Sequence, residues 1–181
     1  TAEEQEILSR YVGWGGLADA FDENKSAWEI EYLELKTVLT PGEYAAARAS
    51  TLNAHYTQPI VIESMYQALE NMGFEKGNIL EPAMGVGNFF GMLPEKMEAS
   101  KLYGVELDSI SGRIASLLYP DANIQIKGFE KTDYPNDFFD VVIGNVPFGA
   151  YKVNDRQYEK YNFFIHDYFL AKSIDQLRPG G

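Results

Sequence analysis

Asn78-Ile79-Leu80-Glu81-Pro82-Ala83-Met84-Gly85-Val86-Gly87-Asn88-Phe89-Phe90-Gly91 reads as a buried strand, a glycine turn and a helix start. Ile79 and Leu80 supply the apolar strand end, and Glu81 places a carboxylate where the strand stops. Gly85 and Gly87 let the backbone turn tightly and approach a ligand with no Cβ in the way. Backbone N–H groups at the start of the following helix then face that ligand. By itself a Gly-x-Gly after a strand is equally a tight turn with no ligand. Its partner is Lys101-Leu102-Tyr103-Gly104-Val105-Glu106, a second apolar strand ending in an acid, with Glu106 19 positions after Gly87. That is about the spacing at which nucleotide-binding α/β folds set a carboxylate on ribose hydroxyls.

Outward from this core the pattern continues. Residues 123 to 126 and 139 to 144 read as two more strands, and 109 to 119 as a helix capped by Ser109, with Ile110, Ile114, Leu117 and Leu118 inward. Upstream, Ile62, Met65, Tyr66, Leu69 and Met72 form one helical stripe that Thr57 starts and Gly73 ends. Residues 162 to 177 read as a last helix with Tyr168, Ala171, Ile174 and Leu177 on one face, stopped by Arg178-Pro179-Gly180-Gly181. Strands alternating with helices predict parallel pairing, right-handed crossovers and ligands at the carboxyl ends of the strands. A helix followed by a Pro-Gly turn leads into another strand, so the expectation is a piece of a longer protein lacking the far strands of its sheet. The first fifty residues read as a helical arm: helix from Ala2 to Val12, a Gly13-Trp14-Gly15-Gly16 break, helix from Ala27 to Leu39, then Thr40-Pro41-Gly42-Glu43 as a capped start. Trp14 is read as a packed corner in preference to a functional loop. The fold expected is α/β, a three-layer Rossmann-like sheet, mostly parallel, with an arm over 1–52 and the ligand-binding domain over 53–181.

Composition narrows the function. An apolar share of 45% with 14% aromatics supports a core. No cysteine and two histidines, His55 and His166, argue against a metal site. The absence of a long apolar run or signal-peptide pattern argues against a membrane partner and fits the cytoplasm. Fifteen basic against 27 acidic side chains give a formal charge of −12, a surface that does not by itself attract phosphate backbones. Nucleic acid is therefore expected to be held through regions largely outside this segment.

The fourth strand ends in Asn145-Val146-Pro147-Phe148, and the ordered set resembles the class I S-adenosylmethionine-dependent methyltransferases that act on adenine in DNA. Their catalytic loop reads Asp/Asn/Ser-Pro-Pro-aromatic. Their Tyr/Phe-Thr-Pro element is matched by Tyr56-Thr57-Gln58-Pro59, and their Asp/Glu-Pro-x-x-Gly-x-Gly by Glu81 to Gly87. The resemblance covers about residues 53 to 181. The whole chain, arm included, is similar to the methylase segment of very large helicase-methylase proteins of bacterial conjugative elements and phages.

The resemblance implies S-adenosylmethionine as cofactor, DNA as partner, and a helicase region in the parent chain. Glu106 would accept from the ribose hydroxyls, Gly85 and Gly87 would pass beneath the methionine moiety, and Glu81, beside Pro82, would sit near its ammonium group. Tyr56 and Thr57 would close the methionine end. Leu107 and Phe129 would wall the adenine, with Glu130 or Asp133 accepting its amine. Asn145 and the carbonyl of Val146 would accept from the target amine, Pro147 would shape the loop, and Phe148 would stack on a flipped base. Val146 stands where the family has its first proline; the carbonyl survives, but the rigid turn is relaxed. The same loop suits protein glutamine or RNA amines, and a non-catalytic module of a DNA-processing machine is the remaining alternative. His55 and His166 are assigned no role, and Asp108 reads as a helix cap or exposed acid.

Overall fold

The computed structural model describes residues 1–51 and 57–181. Four strands, β1 (Asn78–Glu81), β2 (Lys101–Glu106), β3 (Asn123–Ile126) and β4 (Val141–Val142), form a parallel sheet in the order β3-β2-β1-β4. β1 is central: Ile79 pairs with Leu102 on one side and Val141 on the other. A parallel strand covered on both faces has no room for polar alternation, and Ile79 and Leu80 are both fully buried. β4 is shorter than the 139 to 144 expected. Asp140 and Ile143 nevertheless donate to Asn78 and Leu80 carbonyls at 2.9 Å, and Phe139 bridges in parallel to Leu177 on its far side.

The described residues hold seven α-helices, α1 (Ala2–Ser9), α2 (Glu29–Val38), α3 (Pro41–Ser50), α4 (Pro59–Asn71), α5 (Asn88–Gly91), α6 (Ser109–Leu118) and α7 (Ile165–Gln176), of which α4 to α7 pack on the sheet. Because successive strand residues face opposite ways, Ile79 and Leu80 nucleate separate cores. Ile79 packs with Ile62 and Tyr66 of α4, Phe89 of α5 and Met97. Leu80 packs with Val105, Phe129, Phe139 and the Ile165, Tyr168 and Phe169 side chains of α7. Helices on both faces make the expected three layers.

The helix details differ from expectation in four helices. Gln58, not Thr57, occupies the N-cap of α4, ahead of Pro59, and Met72, at the C-cap, is exposed. Asp108, not Ser109, caps α6 by accepting from the N–H groups of Ile110 and Ser111. Leu117 is exposed, because α6 buries Ser111, Gly112, Ile114 and Ala115 instead. α7 buries Ile165, Tyr168, Phe169, Lys172, Ser173 and Gln176 and leaves Ile174 exposed. Its inward stripe is rotated because Lys172 is satisfied inside, donating to the Phe129 carbonyl at 2.8 Å and lying 3.2 Å from Asp155. In the arm, α1 stops at Ser9, three residues short of the expected end.

The arm has its own small core of Ala20, Phe21 and Ala47, with Trp14, Trp28, Leu35 and Tyr44 against it. Trp14 meets Phe21 edge-on at 5.5 Å, a packed corner as read. The expected Thr40/Glu43 capping box is present. The arm docks on α6: Ile110 joins its core, Glu43 pairs with Arg113, and Gln5 donates to the Leu117 carbonyl at 3.0 Å. The Arg113 bond, then the Thr40 N–H and hydroxyl, hold the Glu43 carboxyl down to about 2.

Candidate active site

All four strands run the same way, so β1, β2 and β4 deliver their carboxyl ends to one edge of the sheet. A cavity of about 710 Å³ opens there. Of the residues singled out from sequence, Thr57, Glu81, Pro82, Gly85, Glu106, Leu107, Phe129, Glu130, Asn145, Val146, Pro147 and Phe148 line it. Tyr56 lies outside the described residues. Gly87 and Asp133 are not on the wall. Asp133 is exposed, so of the two acids left open only Glu130 faces the cavity.

The glycine loop is shaped from two sides. Gly85 has φ of 58° and Gly87 of 85°, conformations that disfavour a side chain. The space at Gly87 is claimed by protein: a Cβ there would lie 2.5 Å from the Tyr119 ring. Gly85 serves the site, donating its N–H to Glu106 Oε2 at 2.7 Å, while Asp108 N–H donates to Glu106 Oε1 at 2.7 Å. Burial raises the Glu106 carboxyl, and the N–H groups of Asp108 and Gly85 oppose that rise.

Glu81 is the most telling group. Its side chain is 2% exposed, and Oε2 has no hydrogen-bond partner among the described residues. Burial first, and then the charge of Glu106, push its carboxyl well above the usual range. A buried acceptor without a donor is rare in folded proteins, and two carboxylates at one cavity edge make a place for a cationic or donor-rich group.

Across the cavity, β4 is followed by Ile143, Gly144 and then the Asn145 to Phe148 loop. Val146 is half-buried against the core beneath α7, so the residue in the proline position anchors the loop by packing. Phe148 is 69% exposed and stacks on His166 with ring centroids 5.9 Å apart and planes 27° from parallel.

Several wall residues had not been identified from sequence. Ala46, Ala49 and Ser50 come from α3, and Tyr151, Val153, Ile165 and Phe169 from the segment around the start of α7. Ala45, Ala46, Ala47 and Ala49 were the available signal for α3, since small side chains permit close approach. Among the described residues no group of three or more His, Cys, Asp or Glu is placed to hold a metal, and no helix is long and apolar enough to cross a membrane.

Sheet order, open carboxyl edge and glycine loop define a Rossmann-like fold of the methyltransferase kind. The structure of a geranyl diphosphate methyltransferase in complex with GPP and sinefungin superposes with a TM-score of 0.50 at 16% identity, over 98% of this chain and 63% of that one. The methyltransferase subunit of a type I restriction-modification system from Streptococcus thermophilus gives a TM-score of 0.49 at 17% identity, over 76% and 35% of the two chains. In sequence, the chain is 30% identical over 186 aligned residues to defense against restriction protein B of Escherichia phage P1. The match takes in the whole of this chain, which spans about 7% of the length of that phage protein. No protein-family model matches the chain.

Proposed function

We propose that the chain binds S-adenosylmethionine and directs methyl transfer to the exocyclic N6 amine of adenine in DNA, as one segment of a larger DNA-processing protein. The observation that carries this reading is the single cavity shared by the Glu81/Glu106 edge and the Asn145 to Phe148 loop. Its volume falls within the range of small-molecule sites. The orphaned Glu81 oxygen suits the ammonium group of the cofactor, and Glu106 suits its ribose hydroxyls. Phe129, buried against Phe169 at 5.0 Å, supplies an apolar face for a purine, and Glu130 an acceptor beside it. When bound, S-adenosylmethionine supplies an electrophilic methyl group.

The protein's part is positioning. The side-chain oxygen of Asn145 and the carbonyl of Val146 accept from the two N–H bonds of the target amine, drawing its lone pair out of conjugation and toward the cavity. Phe148 offers an exposed ring face to an extruded base. A DNA context is supported by the phage relative, whose name places it in defense against restriction.

The test is tritiated methyl transfer onto DNA, RNA and protein by the parent protein and its Asn145→Ala variant. Label on DNA adenine that falls about a hundredfold or more in the variant is the expected result. Undiminished label would sink the role given to Asn145, and label only on glutamine or RNA would replace the substrate.

A further inference from the structure

We infer that the segment from Phe148 to His166 forms a stacking platform for the DNA strand flanking the target adenine. This rests on the adenine-methylation reading for the position of the target beside Asn145. The argument begins with ring geometry. Phe148 stacks on His166 at 5.9 Å and 27°, and His166 on Phe164 at 6.1 Å and 26°. Three near-parallel rings thus lead away from the cavity mouth. Phe148 and Phe164 are 69% and 44% exposed, and Tyr161, 54% exposed, stacks on half-buried Phe163 at 5.2 Å and 15°. Exposed aromatic faces of this kind serve no core, and successive bases stack on them without sequence preference.

Charge points the same way. The chain carries −12, yet this segment holds Lys152, Arg156 and Lys160 against Asp155 and Glu159. Asp155 is already neutralised from within: it lies 3.2 Å from the buried Lys172 and accepts from the Tyr168 hydroxyl at 2.7 Å. The exposed balance is therefore three cations to one anion, with Asp167 of α7 the next acid, beside His166. Two of the cations ride on the rings: Lys160 Nζ sits 4.7 Å from the Tyr161 ring centre and Lys152 Nζ 5.9 Å from that of Phe164. Ring faces interleaved with lysines are what an unstacked, phosphate-bearing strand requires. A flipped adenine leaves neighbours whose stacking has been interrupted, and the ring stack starts at Phe148, on the cavity wall.

The experiment measures binding of a fluorescein-labelled single-stranded DNA oligonucleotide by anisotropy, with S-adenosylhomocysteine affinity measured in parallel as the check on fold. Tyr161→Ala and Phe164→Ala are expected to weaken oligonucleotide binding about tenfold or more each, with S-adenosylhomocysteine affinity unchanged. Lys152→Ala and Lys160→Ala, wholly on the surface, are expected to reduce the salt slope by about 1 each. A wild-type chain that does not bind the oligonucleotide, or variants that bind it as tightly as wild type, would overturn the platform. The two readings fail separately. Oligonucleotide held through Tyr161 and Phe164 without methyl transfer sinks the adenine reading and supports the platform; transfer to DNA with KM unmoved in these variants does the reverse.

Discussion

Glu106 Oε2 accepts from the backbone N–H of Gly85 at 2.7 Å, so the acid that ends β2 holds the glycine loop that follows β1. Its other oxygen holds Asp108 N–H, at the cap of α6. One carboxylate thus fixes the floor of the cavity from two strands, and a structural role is separable by experiment from the binding role proposed for it.

Glu106→Gln keeps an acceptor but loses the charge and one oxygen, whereas Glu106→Ala strips both N–H groups of their partner. The alanine variant should lose about 1 to 3 kcal/mol of stability, seen as a lower thermal midpoint. Both variants should weaken S-adenosylhomocysteine binding about tenfold or more in calorimetric titration. Glutamine binding as well as wild type would limit Glu106 to loop support.

Glu81 makes stability depend on pH with an unusual sign. Its carboxyl is raised in the folded state, so the native chain binds the proton more tightly than the unfolded one. The stability this contributes is full below the ordinary glutamate range and is lost as pH rises through the folded value. Glu106, also raised, adds in the same direction. The thermal midpoint without ligand should fall as pH rises above the ordinary glutamate range, and Glu81→Gln should flatten that fall and be the more stable protein at the alkaline end. A cationic ligand reverses the preference, so binding should release protons, read by calorimetry in buffers of different ionisation enthalpy. Equal slopes in wild type and variant would mean that Glu81 is already ionised and compensated.

The bounds of β1 and β2 were legible because each is a short, mostly apolar run set between turn residues, and a buried parallel strand admits little else; β3, at the sheet edge with no buried residue, was legible only from its two isoleucines. The face of α7 was not. Lys172, Ser173 and Gln176 are buried polar residues, and periodicity counts only apolar ones; nothing local says that Asp155 and the Phe129 carbonyl will meet Lys172. Gly87 was read as clearance for a ligand, and the clearance is for Tyr119, a contact 32 positions away in sequence. The contribution of α3 to the cavity wall depends on how the arm docks on α6; its alanines permit a close approach but do not encode against what.

Gly87 therefore predicts a stability defect. Alanine there must hold φ near 85° and push into the Tyr119 ring, costing about 1 to 3 kcal/mol for the strained conformation alone. Gly87→Ala with Tyr119→Leu should recover the steric part and keep the backbone part. Denaturant midpoints of the single and double variants measure the split. No recovery would show that Tyr119 yields freely and that the conformation accounts for the whole defect.

Lys172 ties the cavity to the platform beside it. Its ammonium donates to the Phe129 carbonyl at 2.8 Å and faces Asp155, which also accepts from Tyr168. Burial pushes the Asp155 carboxyl up, but Tyr168, the Gln157 N–H and Lys172 outweigh it and leave the group below its usual value. Lys172→Met removes the cation and strands that carboxylate, for a loss of about 3 to 5 kcal/mol. Lys172→Met with Asp155→Asn removes both charges and should recover much of that loss, since an uncompensated charge is worse than an absent pair. Because Asp155 anchors the segment that carries Lys152, Tyr161 and Phe164, the single variant should also raise hydrogen exchange across residues 150–164 while leaving β1 and β2 protected. Uniform exchange throughout the sheet would instead mean that the pair supports the whole domain.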